Sequence, residues 1–243
     1  MKTLHFIAHS TCLIETDESF LLFDFYNSSQ TTPTLMRLLS HEKPLVVFCT
    51  HSHHDHYSRD IFDLLTPFHP TYIFCEQVRE SVPADRIDDV IFLSILEEYA
   101  LKRLGLSLKV YGSTDEGGSF YLRLRDGFTI FYAGDLNHWH WDQEANEYYR
   151  SLYAAAYKEE LANLSADKLY PMDLLLFPTD LRLGPNYLQG LEEFLQTVTT
   201  TRYFAPIHWN GTPDNLKKLE TISEKFGFKI VDTSQGAISA ILK

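Results

Sequence analysis

Within His51-Ser52-His53-His54-Asp55-His56 the chain carries four good metal ligands, His51, His53, Asp55 and His56. Imidazole nitrogen suits zinc and other late first-row cations, and a carboxylate oxygen widens the choice toward manganese or iron, so one loop can serve two metals. The apolar run Leu45-Val46-Val47-Phe48-Cys49 directly precedes the cluster and reads as a strand, buried on both faces, that delivers it to a loop. If His51 and His53 stay extended, their side chains fall on one side of the chain, and the following turn aims Asp55 and His56 at a neighbouring point. His54 then points away and reads as a supporting or structural residue. Two distant positions suit the same chemistry: Asp135, in Ala133-Gly134-Asp135, and His208, in Ala205-Pro206-Ile207-His208-Trp209, each at a predicted strand exit.

Positioning these groups takes a sheet-rich framework. Residues 4–8, 11–16 and 20–25 read as three short strands of an antiparallel meander with polar turns such as Asp17-Glu18-Ser19. Residues 34–39 have helical spacing and feed the strand 45–49, Ser58 is placed to cap a helix through Leu65, and 71–75 is the next strand. Residues 86–93 and 106–111 are strand candidates, while 97–104 fits a helix or a strand. Around Asp126-Gly127, the runs 119–125 and 128–133 predict a hairpin with a two-residue type I′ turn. Residues from about 143 to 166, rich in Ala, Glu, Tyr and Leu, predict one or two inserted helices that could form a lid before the strand 173–177. The remainder alternates: 187–198, 203–205, 215–226, 228–231 and 237–242, an order that two-sided packing of helices on sheets accommodates.

The pattern H-x-H-x-D-H, then Gly134-Asp135, then His208 after a strand closely resembles the metallo-β-lactamase superfamily. Leu21-Leu22-Phe23-Asp24 is similar to the early apolar strand ending in Asp that precedes that family's metal loop, and the strand order agrees across essentially the whole chain. The compact length and the final Ile207-His208-Trp209 look most like the branch of ascorbate-6-phosphate lactonases and phosphodiesterases. The resemblance implies an α+β fold, a four-layer αββα sandwich of two mixed β-sheets with outer helices, as a single domain over residues 1–243. It implies two divalent metal ions, zinc first with manganese or iron as alternatives: His51 and His53 on one, Asp55, His56 and His208 on the other, and Asp135 bridging both. The family's third histidine on the first metal has no counterpart in Gly112-Ser113-Thr114-Asp115-Glu116-Gly117-Gly118. Asp115, Glu116, His138, His140 or water is left for that place, with His140 or water preferred.

Two cations roughly 3.5–4 Å apart hold a bridging hydroxide at neutral pH and stabilise developing negative charge. The implied activity is therefore a metal-dependent hydrolase that uses a metal-bound hydroxide on a small ester, lactone or phosphoester. In it Asp55 orients or deprotonates the nucleophile, and His9, His138 or His140 serves as a proton donor to the leaving group. Asp24 is expected to hydrogen-bond the metal loop rather than bind metal. Asp180 and Arg182 either contact a polar or phosphorylated substrate or form a surface ion pair, and Trp139, Trp141 and Trp209 either wall the pocket or pack. The alternatives are a non-catalytic metal-binding protein of the same fold, a tRNA-processing nuclease, and a diiron redox enzyme, whose metal loop carries Glu where this chain has His53.

The net charge of −12 over 243 residues works against a nucleic-acid partner and favours a small-molecule substrate. Cys12, Cys49 and Cys75 lie in or beside apolar runs with no CxxC motif and read as buried, reduced thiols. No long apolar run marks a signal or a membrane span, so a soluble, cytoplasmic protein is expected.

Overall fold

The computed structural model describes residues 1–141, 144–209, 211–233 and 238–242. The first half of the chain runs β1 (Lys2–Ala8), β2 (Thr11–Glu15), β3 (Phe20–Phe23), α1 (Thr31–Leu38), β4 (Leu45–Cys49), α2 (Ile61–Leu65), β5 (Thr71–Cys75) and β6 (Val90–Leu93). The second half runs β7 (Glu98–Leu101), β8 (Leu106–Gly112), β9 (Gly118–Arg123), β10 (Thr129–Tyr132), α3 (Glu147–Ala166), β11 (Met172–Pro178), α4 (Gln189–Thr197), β12 (Thr201–Ile207), α5 (Pro213–Phe226), β13 (Lys229–Ile230) and β14 (Ile238–Leu242). They build two seven-stranded sheets, ordered β14-β1-β2-β3-β4-β5-β6 and β13-β12-β11-β10-β9-β8-β7. Each sheet is mixed: β3 to β6 are parallel after an antiparallel meander, and β10 to β13 are parallel beside the antiparallel strands β7 to β9.

Alternation along the strands decides the layers. In β4, Val46 and Phe48 enter the core between the sheets, whereas Leu45, Val47 and Cys49 face the layer that holds α1 and α2. In β10, Ile130 and Tyr132 enter the same central core, and Phe131 turns outward to the layer holding α3, α4 and α5. Burial on both faces explains the near-continuous apolar runs of the parallel strands. The result is the expected αββα sandwich. Cys12, Cys49 and Cys75 are all buried free thiols.

Several local expectations change. The hairpin forms, but Leu124 and Phe128 still pair, so Arg125, Asp126 and Gly127 make a three-residue loop, with Gly127 at φ +88. α2 begins at Ile61 after Asp60, whose own side chain makes no cap, while Ser58 Oγ accepts the Asp60 N–H at 3.4 Å. Of residues 86–93 only Val90–Leu93 is strand, following a 3-10 turn at Ile87–Asp89, and the ambiguous stretch resolves as β7 followed by a second 3-10 turn. The insertion is one helix, capped by the Asn146 side chain accepting from the Tyr149 N–H. Its Tyr157, Leu161 and Leu164 are buried, so the C-terminal part is packed framework, and Tyr153, nearer its start, lines the cleft. Gln143 and Ala237, expected at the starts of two of these elements, lie outside the described residues. Among the described residues no helix is long and apolar enough to cross a membrane.

Candidate metal centre

In each parallel half-sheet the strand ends that carry ligands share one edge of the sandwich, and ligand sites in such sheets form beyond the carboxyl ends of strands. Asp24 follows β3, the run from Thr50 to His56 follows β4, Asp135 follows β10, Asp180 follows β11 and His208 follows β12. The β1–β2 turn brings His9 to the same edge, where its carbonyl accepts the His208 N–H at 3.1 Å. His9, Asp24 and His208 hold positive φ of 50°, 41° and 53°. Non-glycine residues in this region carry strain, which gathers where a fold fixes side chains for function.

Three overlapping sets of ligand atoms lie within 4.8 Å of one another: His51, His53 and Asp135; His56, Asp135 and His208; and His9, Asp55 and His208. Asp135 joins the first two. Its Oδ2 is 3.5 Å from His51 Nε2, while its Oδ1 is 3.1 Å from His56 Nε2 and 2.9 Å from His208 Nε2. Despite these distances, neither His51 Nε2 nor Asp135 Oδ1 has an aligned hydrogen-bond partner among the described residues, although both are buried. Buried polar atoms are rarely left so. Ligand atoms converging in this way, with His56 Nε2 also 2.9 Å from His208 Nε2, fit a cation, and the imidazole and carboxylate set suits zinc, manganese or iron.

The opposite ring nitrogens are anchored. His56 Nδ1 donates to Asp24 Oδ2 at 2.6 Å, and His51 Nδ1 lies 2.9 Å from Thr50 Oγ1. Asp180 Oδ2 is 3.7 Å from His208 Nδ1. Such partners fix ring orientation and leave Nε2 for a metal. The electrostatics agree. Burial alone would lower His56, but Asp135 and Asp24 outweigh it and push its pKa up to about 10. His208 is likewise raised against burial by Asp135 and Asp180. Burial and the neighbouring His56 charge instead hold His51 down to about 4. Asp135, although buried, sits well below the usual carboxylate range because His208 and His56 face it. The buried carboxylates Asp24 and Asp135 thus favour positive charge at His56 and His208, the charge that a bound cation would supply in place of their protons.

Several of the expected roles are redistributed. His53 reaches the first set with its side chain 42% exposed. Asp55 lies beside His208 but in the company of His9, which is 3.1 Å from its Oδ2, rather than with His56 and Asp135 as expected. Its carboxyl is lowered although burial opposes this, through the hydrogen bond with His9 and the nearby His56 and His208. His140, expected as a ligand or substrate contact, does not reach this group: its buried Nε2 faces the Asn186 carbonyl oxygen at 3.3 Å. His138 faces Glu193 at 3.0 Å. Tight turns through residues 136–140 alternate the side chains, so Trp139 and Trp141 face the cleft while His138 and His140 face the helices. Asp115 and Glu116 approach His53 instead, at 3.9 Å and 3.6 Å, and Asp115 lines the cleft. Burial and Asp135 raise the Asp115 pKa. His54 is exposed.

Two glycines let the ligand loop pass. A Cβ on Gly117, whose φ is +67, would stand 1.8 Å from the Thr50 carbonyl oxygen, and one on Gly134 would stand 2.8 Å from the Thr50 side chain. Gly117→Ala should therefore cost about 2–3 kcal/mol through clash and left-handed strain together. Gly127→Ala, with nothing within 4 Å of the new methyl, should cost only the strain, about 1–2 kcal/mol. Urea midpoints of the two variants decide the matter, and equal losses would show that the Thr50 contact carries nothing.

No family model and no curated protein matches the sequence. Among solved structures, the metallo-β-lactamase fold protein YhfI from Bacillus subtilis superposes with a TM-score of 0.63, at 13% identity, over 99% of each chain. The chain has the metallo-β-lactamase fold. Igni18, described as a metallo hydrolase from the archaeon Ignicoccus hospitalis, matches at a TM-score of 0.68 with 15% identity, covering 100% of this chain and 99% of that one. CmlA, a diiron β-hydroxylase from Streptomyces venezuelae, matches at 0.57 with 10% identity, covering 94% of this chain and 52% of that one. A metallo-β-lactamase fold thus serves hydrolytic and oxidative proteins alike, so function must be argued from the site.

Proposed function

We propose that this protein is a metal-dependent hydrolase of a small ester, lactone or phosphoester. The observation that carries the reading is Asp135, whose two oxygens face two separate groups of imidazole nitrogens. His51, His53 and Asp135 would hold one divalent cation, with Asp115 the nearby oxygen that could complete it, and His56, Asp135 and His208 would hold the other. Cations there would acidify a water and polarise a substrate oxygen. Asp55, in the set with His9 and His208 and hydrogen-bonded to His9, would orient or deprotonate the nucleophile in this reading, with His9 fixing its orientation. The cleft beside them, lined by Trp139, Trp141, Tyr153 and Arg182, has a volume of about 250 Å³. That is below the roughly 300–1,000 Å³ of ordinary small-molecule pockets and supports a small substrate over a nucleic acid.

Metal analysis of purified protein should find about two zinc, manganese or iron ions per chain, and metal removal should abolish hydrolysis of activated esters, lactones or phosphodiesters until a divalent ion is restored. Protein that takes up no metal from supplemented buffer rules the hydrolase out.

A further inference from the structure

The cleft is lined by acids, Asp55, Asp115 and Asp135, and by one residue of fixed positive charge, Arg182. Its side chain is 66% exposed, yet it is not loose. Asp180, whose side chain is only 6% exposed, accepts from Arg182 Nε at 3.0 Å and 2.9 Å, pairs with Nη2, and accepts the Arg182 backbone N–H at 2.9 Å. The guanidinium also lies 5.6 Å from the centroid of the Trp141 ring, which stacks on Trp139 at 5.7 Å and 12°. Asp180 thus binds one edge of the fork, Trp141 lies over it, and among the described residues no hydrogen bond engages Nη1, which leaves its donors for a ligand. An arginine serving only as a surface ion pair needs neither a buried carboxylate nor an aromatic backing. The same Asp180 reaches His208 Nδ1 at 3.7 Å, so one carboxylate sets both a metal-facing imidazole and this guanidinium in a common frame.

We propose that Arg182, held by Asp180 and backed by Trp141, is the specificity anchor for an oxyanion, carboxylate or phosphate, that the substrate carries apart from the bond to be cleaved. This rests on the hydrolase reading and narrows its substrate class to small anionic esters or lactones. Asp55 and Asp115 line the same cleft, and Arg182 offsets their charge toward the end of an anionic substrate that lies away from the cations. Planar, bidentate recognition of carboxylate or phosphate is what a pre-oriented guanidinium does best.

The test uses metal-loaded wild type, Arg182→Gln and Arg182→Lys. Calorimetry measures binding of glutarate, inorganic phosphate and the neutral glutaramide, and kinetics compare mono-4-nitrophenyl glutarate with 4-nitrophenyl butyrate. Wild type is expected to bind at least one of the two anions and to prefer it to glutaramide. Arg182→Gln should weaken anion binding about 10- to 100-fold, with Arg182→Lys between, and should lower the ratio of kcat/KM for charged over neutral ester by a similar factor. Comparing glutarate with phosphate tells which oxyanion the anchor takes. No anion binding by wild type, or the same affinity in Arg182→Gln, overturns the anchor. If no ester is hydrolysed but Arg182→Gln still loses the anion, the hydrolase reading fails and the anchor stands.

Discussion

Asp135→Asn is expected, on the proposed hydrolase function, to lower hydrolysis on the order of a thousandfold, because several kcal/mol of the charge stabilisation that two cations would supply would go with their bridge. Asparagine preserves the volume and one oxygen but removes the charge. In the native site Oδ2 faces His51 Nε2 at 3.5 Å and Oδ1 faces His56 and His208 Nε2 at 3.1 Å and 2.9 Å. An amide must turn its NH2 toward one of these groups, and that group then meets a donor where it needs an acceptor. Bound metal should therefore fall from about two per chain to one or fewer, with the loss in metal tracking the loss in rate. Steady-state kinetics together with metal analysis of the variant check this. An Asp135→Asn protein with wild-type metal content and rate would remove the bridge from the mechanism.

The ligand loop is legible in the sequence because β4 is apolar throughout and ends where the histidines begin, so strand and loop announce each other. Asp135 and His208 are legible for a related reason: each stands just beyond an apolar run that can only be a buried strand. Asp180 obeys the same rule after β11, and its position at a strand exit is the signal that marks it as a partner of the site. Thr50 escapes such reasoning because a threonine before a histidine carries no special pattern, and only the folded turn brings its hydroxyl 2.9 Å from His51 Nδ1. His140 misleads because composition shows that histidines crowd residues 138–140 but cannot show their direction. The turns after Asp135 send Trp139 and Trp141 to the cleft and both buried histidines away from it, toward Glu193 and the Asn186 carbonyl. The short helices and the 3-10 turns near residues 58–61 and 87–89 likewise depend on tertiary packing that overrides weak local preference.

Asp24→Ala should destabilise the protein by about 3–5 kcal/mol, the usual consequence of breaking a buried, fully hydrogen-bonded charged group. Asp24 is completely buried and gathers four donors: the Thr50 N–H at 2.8 Å, Thr50 Oγ1 at 2.7 Å, His56 Nδ1 at 2.6 Å and the Tyr132 hydroxyl at 2.9 Å. Tyr132 belongs to β10, in the opposite sheet, so this one carboxylate ties the two sheets beneath the ligand loop. Alanine leaves the Thr50 N–H and His56 Nδ1 buried without this acceptor, whereas the Tyr132 hydroxyl keeps the Ser10 carbonyl at 2.7 Å and Thr50 Oγ1 keeps His51 Nδ1 at 2.9 Å. Asp24→Asn separates stability from metal binding: its oxygen can still accept from the Thr50 N–H, but its NH2 opposes the His56 Nδ1–H. His56 must then shift its proton or its ring, which disturbs the Nε2 that faces Asp135 and His208. Metal affinity at that group should fall about 10- to 100-fold while stability falls less than in the alanine variant. Urea unfolding of the metal-free variants and competition titration with a chelating dye measure the two losses separately. Wild-type metal affinity in Asp24→Asn would mean that the hydrogen bond to His56 braces the fold without orienting the ring.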